Sequence, residues 1–306
     1  MKVLAVTAFA ALSLAQAAVT GVGSAMRFAW PVGVAATVET EYVREQGEPG
    51  SEVSHVRMSH RMTVLAHPEG REIRYEAQRA IDAVGNFEQA APALLSFWIP
   101  STIIRDDGTF SRIEEGQRAQ ELFLAAIGPH LLIAEQIPAL KEYVASITSD
   151  NATARLQAGE WQRLVWQWVG MPSSMEPVEV TGAAPLLPGL MVPTHTRLSV
   201  ANRGPCARAR ETFTCATFEM KTVIDSEALA TLNAHLQKDS PSVLPLAGTP
   251  LELEQVTRVT METGTMLPHE MLETRMTRLR VDANGQSRTT RDAESRRSIF
   301  VYDLKD

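Results

Sequence analysis

This chain is poor in cysteine and aromatics, has no surplus of basic charge and, past its first two dozen residues, contains no long hydrophobic run. Cys206 and Cys215 are the only cysteines in 306 residues, which excludes a small disulfide-built scaffold and leaves stability to a buried core. Lys and Arg number 29 against 36 Asp and Glu, a net charge of −7. An acidic balance of this kind argues against nucleic acid or an anionic membrane surface as the main partner. Catalytic signatures are missing too: there is no Gly-x-Ser-x-Gly, no phosphate loop, no Gly-x-Gly-x-x-Gly and no His-Glu-x-x-His. The histidines show no ligand spacing, and the two cysteines lack the Cys-x-x-Cys spacing of a redox site and a nearby histidine pair. No metal, no cofactor and no enzymatic activity are expected; a hydrolase assembled from distant residues is the third reading.

What is present begins at the N-terminus. Lys2 precedes an apolar and small-residue run from Val3 to Ala18, followed by small residues suited to signal peptidase at Ala15-Gln16-Ala17 or Gly23-Ser24-Ala25. A run of roughly sixteen residues falls short of the ~20 that a helix needs to cross a bilayer core. Residues 1–25 therefore read as a cleaved signal peptide and 26–306 as a single secreted or periplasmic domain with no transmembrane segment in the mature chain. The absence of a cysteine near the cleavage region argues against a lipid anchor. In an oxidising compartment, Cys206 and Cys215 are expected to form one disulfide.

Residues 28–110 carry the first strands. Ala36, Val38, Thr40 and Tyr42 share one face of a first strand, Val56, Met58, His60, Met62, Val64 and Ala66 one face of a second, and Ile73, Tyr75, Ala77, Arg79 and Ile81 one face of a third. Turn formers at 46–50 and 67–70 connect them as antiparallel hairpins. The period then changes. Glu114 to Ile127 reads as a helix stopping at Gly128-Pro129, Leu140 to Ile147 as a second, and Trp161, Leu164, Val165 and Trp168 as the apolar face of a third. The helical segment spans 114–171. Trp161 and Trp168 should be core, and Trp166, off that face, more exposed.

Strands return over 178–303. Val192 to Val200 and Ala216 to Ile224 alternate in period two around the cysteine-bearing connection, with a short helix near Ser226 to Leu236 beyond them. The last strands are Leu251 to Met261, Met271 to Val281 and Ser287 to Tyr302, the final pair joined at Asn284-Gly285. A phase slip in Met271 to Val281 predicts a bulge near Thr277. The arginines at 275, 278, 280, 288, 291, 296 and 297 read as solvated strand faces.

The fold class is α+β, a large curved antiparallel sheet, half-barrel-like, with a helical insertion in mid-chain. This order of long hairpins, helices and more hairpins resembles, in architecture across most of the mature chain, periplasmic lipoprotein-localisation carriers and related lipid-binding half-barrels. The resemblance implies an apolar or amphiphilic ligand. A cavity for it would be lined by Met58, Met62, Tyr75 and Met220, with two polar residues on otherwise apolar faces, His60 and Arg79, meeting a polar end. The competing reading is an envelope assembly or interaction protein with a fully packed core.

Overall fold

The structure, a computed structural model, describes residues 25–47, 53–76, 79–84, 99–134, 151–173, 175–187, 190–208, 211–224, 249–283 and 286–303, together with 145, 148, 149, 227 and 230. The signal segment, most of the Leu140 helix, most of the Ser226 helix, Ala77 and the Asn284-Gly285 turn lie outside these residues. Strands β1 (Ala35–Gly47), β2 (Val53–His67), β3 (Gly70–Tyr75), β4 (Arg79–Val84), β5 (Thr102–Arg105) and β6 (Phe110–Ile113) precede helices α1 (Gly116–Ala134) and α2 (Ala152–Leu164). A 3-10 turn, Trp166–Trp168, leads to β7 (Val178–Leu187), β8 (Leu190–Arg208), β9 (Glu211–Ile224), β10 (Thr249–Glu262), β11 (Pro268–Ala283) and β12 (Gln286–Tyr302).

All twelve strands belong to one curved antiparallel sheet of order β6-β5-β3-β2-β1-β12-β11-β10-β9-β8-β7, with β4 also on β2. The first and second groups of strands are therefore two meanders, joined where β1 pairs with β12 from Ala36↔Tyr302 to Gly47↔Arg291. An open sheet of this size coils, and its inner face needs a cover. The segment 25–34 and the α2–3-10 unit supply one. Met26 donates its amide to the Met171 carbonyl at 2.8 Å, and Gly170 donates back to Met26.

The core lies under that cover. Phe28, Trp30 and Trp161 meet in tilted and edge-on ring contacts 5.2–5.7 Å apart, and Trp168 packs on Phe218. Each buried indole N–H finds a carbonyl: Trp30 to Met266 at 2.9 Å, Trp161 to Gly108 at 2.8 Å and Trp168 to Arg163 at 3.1 Å. Such pairing lets a tryptophan be buried without an orphaned donor. Gly108 has φ +88°, and a Cβ there would stand 2.8 Å from that of Phe28. At Gly70, in the turn between β2 and β3, a Cβ would meet the Ile104 carbonyl oxygen at 2.4 Å.

Four expectations about elements are corrected. The third strand is two: β3 pairs with β2 through Met62↔Tyr75, whereas β4 resumes at Ser59↔Arg79 after one extra residue. Helix α1 runs through Gly128 and Pro129 to Ala134; a proline inside a helix forfeits one hydrogen bond and bends it without always ending it. The irregularity expected near Thr277 lies on the partner strand: β11 and β12 pair without a break, while β10 carries an extra residue between Pro250 and Glu252, opposite Leu279 and Arg278, and a second shift at Thr260/Met261. The α-helical part of the third helix ends at Leu164, and Trp168 stands on the 3-10 turn that follows. Trp161 and Trp168 are nonetheless buried and Trp166 only partly so.

Candidate functional site on the inner face of the sheet

Cross-strand register puts residues from distant parts of the chain into rows. One row of the inner face reads Met58, Thr40, Ser298, Met271, Val259, Phe218. The next reads Val56, Tyr42, Arg296, Glu273, Thr257, Met220, Leu198, and the one beyond it Ser54, Arg44, Glu294, Arg275, Gln255, Thr222, Thr196. The face thus passes from apolar to charged along the strands. Helix α2 lies over this change and lowers two charges onto it, Glu160 and Arg163, three residues apart and so on one side of the helix.

The resulting network alternates in sign. Arg163 Nε donates to Glu273 Oε1 at 2.7 Å, with side-chain exposures of 9% and 0%. The other Glu273 oxygen is 3.7 Å from Arg296, which in turn donates to Glu160. Two cations and two anions cancel, which makes burial tolerable. Burial opposes the charge of Glu160, but Arg296 wins and holds its carboxyl below the usual range, while Glu160 raises the Arg296 guanidinium. A second group follows at the next row: Arg44 makes a two-pronged contact with Asp292 at 3.1 and 2.7 Å and approaches Glu294 at 3.4 Å. Tyr42 beside them is raised by burial first and by Glu294 second.

His60 borders the first group. Burial pushes its imidazole down to about 4, against the attraction of Glu160 and with the repulsion of Arg296, so it is neutral near pH 7. Its ring stands edge-on to Tyr75 with centroids 5.6 Å apart. Among the described residues, His60 Nδ1, Thr257 Oγ1, Glu273 Oε2 and Glu294 Oε2 are buried without a hydrogen-bond partner. Polar atoms left this way in adjoining rows give the inner face a capacity for further hydrogen bonds.

Of the cavity residues expected from the sequence, Met62 and Met220 are sealed in the packed core, and Met58, His60 and Tyr75 are half-buried on the same face. Arg79 is a correction: it is exposed and paired with Ser59, because the extra residue between β3 and β4 inverts the parity and turns its side chain outward. Arg275 and Arg296 are also corrected: both lie on the inner face and not on a solvated one, Arg296 within the charged network. A depression of about 410 Å³ is lined by Gly47, Met276, Arg278, Thr289, Thr290 and Arg291, at the other end of β1, β11 and β12 and with none of the six expected cavity residues. Glu160, Arg163, Glu273, Glu294 and Arg296 escaped sequence reasoning. Their one legible signal was the i, i+3 spacing of Glu160 and Arg163. Cys206 and Cys215 form the expected disulfide between β8 and β9, with Cα atoms 5.7 Å apart.

No protein-family model matches this chain, and no curated protein matches it. A crystal structure of a candidate lipoprotein from Parabacteroides distasonis aligns over 91% of this chain and 99% of its own, at 8% identity and a TM-score of 0.24. A score that low carries no argument about role. No helix among the described residues is long and apolar enough to cross a membrane.

Proposed function

We propose that this chain is an exported, non-enzymatic protein whose curved sheet serves as an interaction scaffold for another envelope protein. The observation that carries this reading is the filled inner face: Met62 and Met220, which a ligand cavity would expose, are 2% and 4% accessible and pack with Trp30, Trp161 and Trp168. The disulfide supports export, because such bonds persist where the compartment is oxidising. Apolar groups for a partner are available at the β4 edge, where Ile81 and Val84 are 48% and 47% exposed beside Val53 at 44%. Apolar groups clustered on an edge strand are a common docking feature.

A second reading, binding of an amphiphile, is favoured by the half-buried group of Met58, His60 and Tyr75 with its unpartnered His60 Nδ1. Native mass spectrometry of protein purified from its own compartment separates the two. The scaffold reading expects the bare polypeptide mass, together with a discrete in-cell cross-linked adduct that Ile81→Asp plus Val84→Asp removes. A stoichiometric co-purifying lipid would overturn it in favour of the second.

A further inference from the structure

We propose that, once its disulfide is reduced, Cys206, Cys215 and His269 form a three-ligand site for a thiophilic d10 cation of the Zn(II) or Cu(I) class. The three residues come from β8, β9 and the start of β11, and their ligand atoms lie within 4.8 Å of one another. A tetrahedral zinc with Zn–S of about 2.3 Å and Zn–N of about 2.0 Å spaces its ligands roughly 3.5–3.8 Å apart. The cluster is already inside the reach of such a polyhedron. Reduction must first let the two bonded sulfurs move apart to that spacing. Two thiolates and an imidazole are the donor set that selects these ions over calcium or magnesium.

The surroundings of His269 carry the inference beyond proximity. Its Nε2 is 3.3 Å from Glu262 Oε1, a carboxylate only 1% exposed. Thr265 Oγ1 donates to the other Glu262 oxygen at 2.6 Å. Glu262 is itself paired in register with Cys215, so the carboxylate and the sulfur are fixed on adjacent strands. The imidazole also stands edge-on to Tyr302, whose hydroxyl donates to the Pro268 carbonyl at 2.6 Å. A buried carboxylate against an imidazole nitrogen is the kind of outer-shell contact that orients metal-binding histidines. A disulfide alone has no need of it.

The chemistry balances in two steps. A small dithiol reductant exchanges with the Cys206–Cys215 bond, becoming a cyclic disulfide and leaving two protein thiols. The cation then displaces one proton from each thiol and takes an imidazole nitrogen of His269, so binding releases two protons and is tighter at higher pH. Oxidised and metal-bound forms therefore exclude each other.

The test titrates Zn(II) into the dithiol protein against a chromophoric chelator, with circular dichroism reporting the fold. One equivalent is expected to bind the reduced protein and none the oxidised one. His269→Ala and Cys206→Ser should each weaken binding by at least tenfold, and Glu262→Gln by about 10- to 100-fold through loss of the orienting contact. His67→Ala, far from the cluster, should match wild type. Co(II) in place of zinc should give the absorption of tetrahedral thiolate coordination, altered in His269→Ala. Equal affinity in wild type and His269→Ala would overturn the proposal, as would a reduced protein that unfolds and is not restored by zinc.

Discussion

Removing one member of the buried pair between α2 and β11 should cost more than any surface change in this protein. Arg163 and Glu273 meet at 2.7 Å with side chains 9% and 0% exposed, and unit charges about 4 Å apart interact by about 4 kcal/mol at an effective dielectric near 20. In Glu273→Leu, Arg296 keeps Glu160 as a partner, but Arg163 faces an apolar side chain across the same gap. Removing the carboxylate of a buried pair typically costs about 3–5 kcal/mol, and the attraction between Arg163 and Glu160 places the expected loss toward the lower end of that range. Adding Arg163→Met removes that charge, and swapping a whole buried pair for apolar residues of similar volume is commonly neutral or stabilising. The double variant should then lie within about 1 kcal/mol of wild type or above it, so the coupling is large and of opposite sign to the single loss. Urea denaturation of wild type, both single variants and the double variant measures all four corners. A Glu273→Leu loss below about 1 kcal/mol, or a double variant as unstable as the sum of the singles, would refute the account of the network as a closed electrostatic clamp.

Other outcomes are expected on the same physical grounds. Because His60 titrates at about 4 in the folded protein against 6.5 when free, the unfolded chain takes up the proton first. Stability is then lost as the pH falls through that window, by up to about 3 kcal/mol below pH 4. His60→Leu should flatten this part of the curve relative to wild type in denaturant titrations at pH 7 and pH 4.5, and parallel curves would refute it. Trp161→Ala and Trp168→Ala should each cost about 3–5 kcal/mol, and Trp166→Ala distinctly less; equal losses at all three would show the packing to be wrong. Thiol labelling without reductant should find neither Cys206 nor Cys215, and reduction should lower stability by about 2–3 kcal/mol for so short a loop.

Much of the architecture is written in local periodicity. Alternation in β1, β2, β8 and β9 identifies their inner residues, and the buried Thr194, Thr196, Leu198, Ala216, Phe218, Met220, Thr222 and Ile224 all fall on the faces that period two selects. The cysteine pair and the buried tryptophans were legible for the same reason, since spacing along one or two elements was enough. Parity fails where one residue is inserted. The extra position between Tyr75 and Arg79 leaves the alternation unbroken to the eye, yet the separate pairing of β3 and β4 reverses which way Arg79 points.

The charged interior could come only from tertiary structure. A charge on an apolar face needs a buried partner, and the residues that meet this requirement are Glu273 and Arg296, which look in sequence like ordinary polar positions of β11 and β12. Their inward direction follows from the pairing of β1 with β12, a contact between the two ends of the described chain, and their tolerance of burial from Glu160 and Arg163 on a helix more than a hundred residues away from either strand residue. The same holds for His269 beside the two sulfurs. Sequence fixes what each strand can bury by its period, because that rule is local. Which opposite charges or ligands meet depends on register between distant strands, and register is decided by the assembled sheet as a whole.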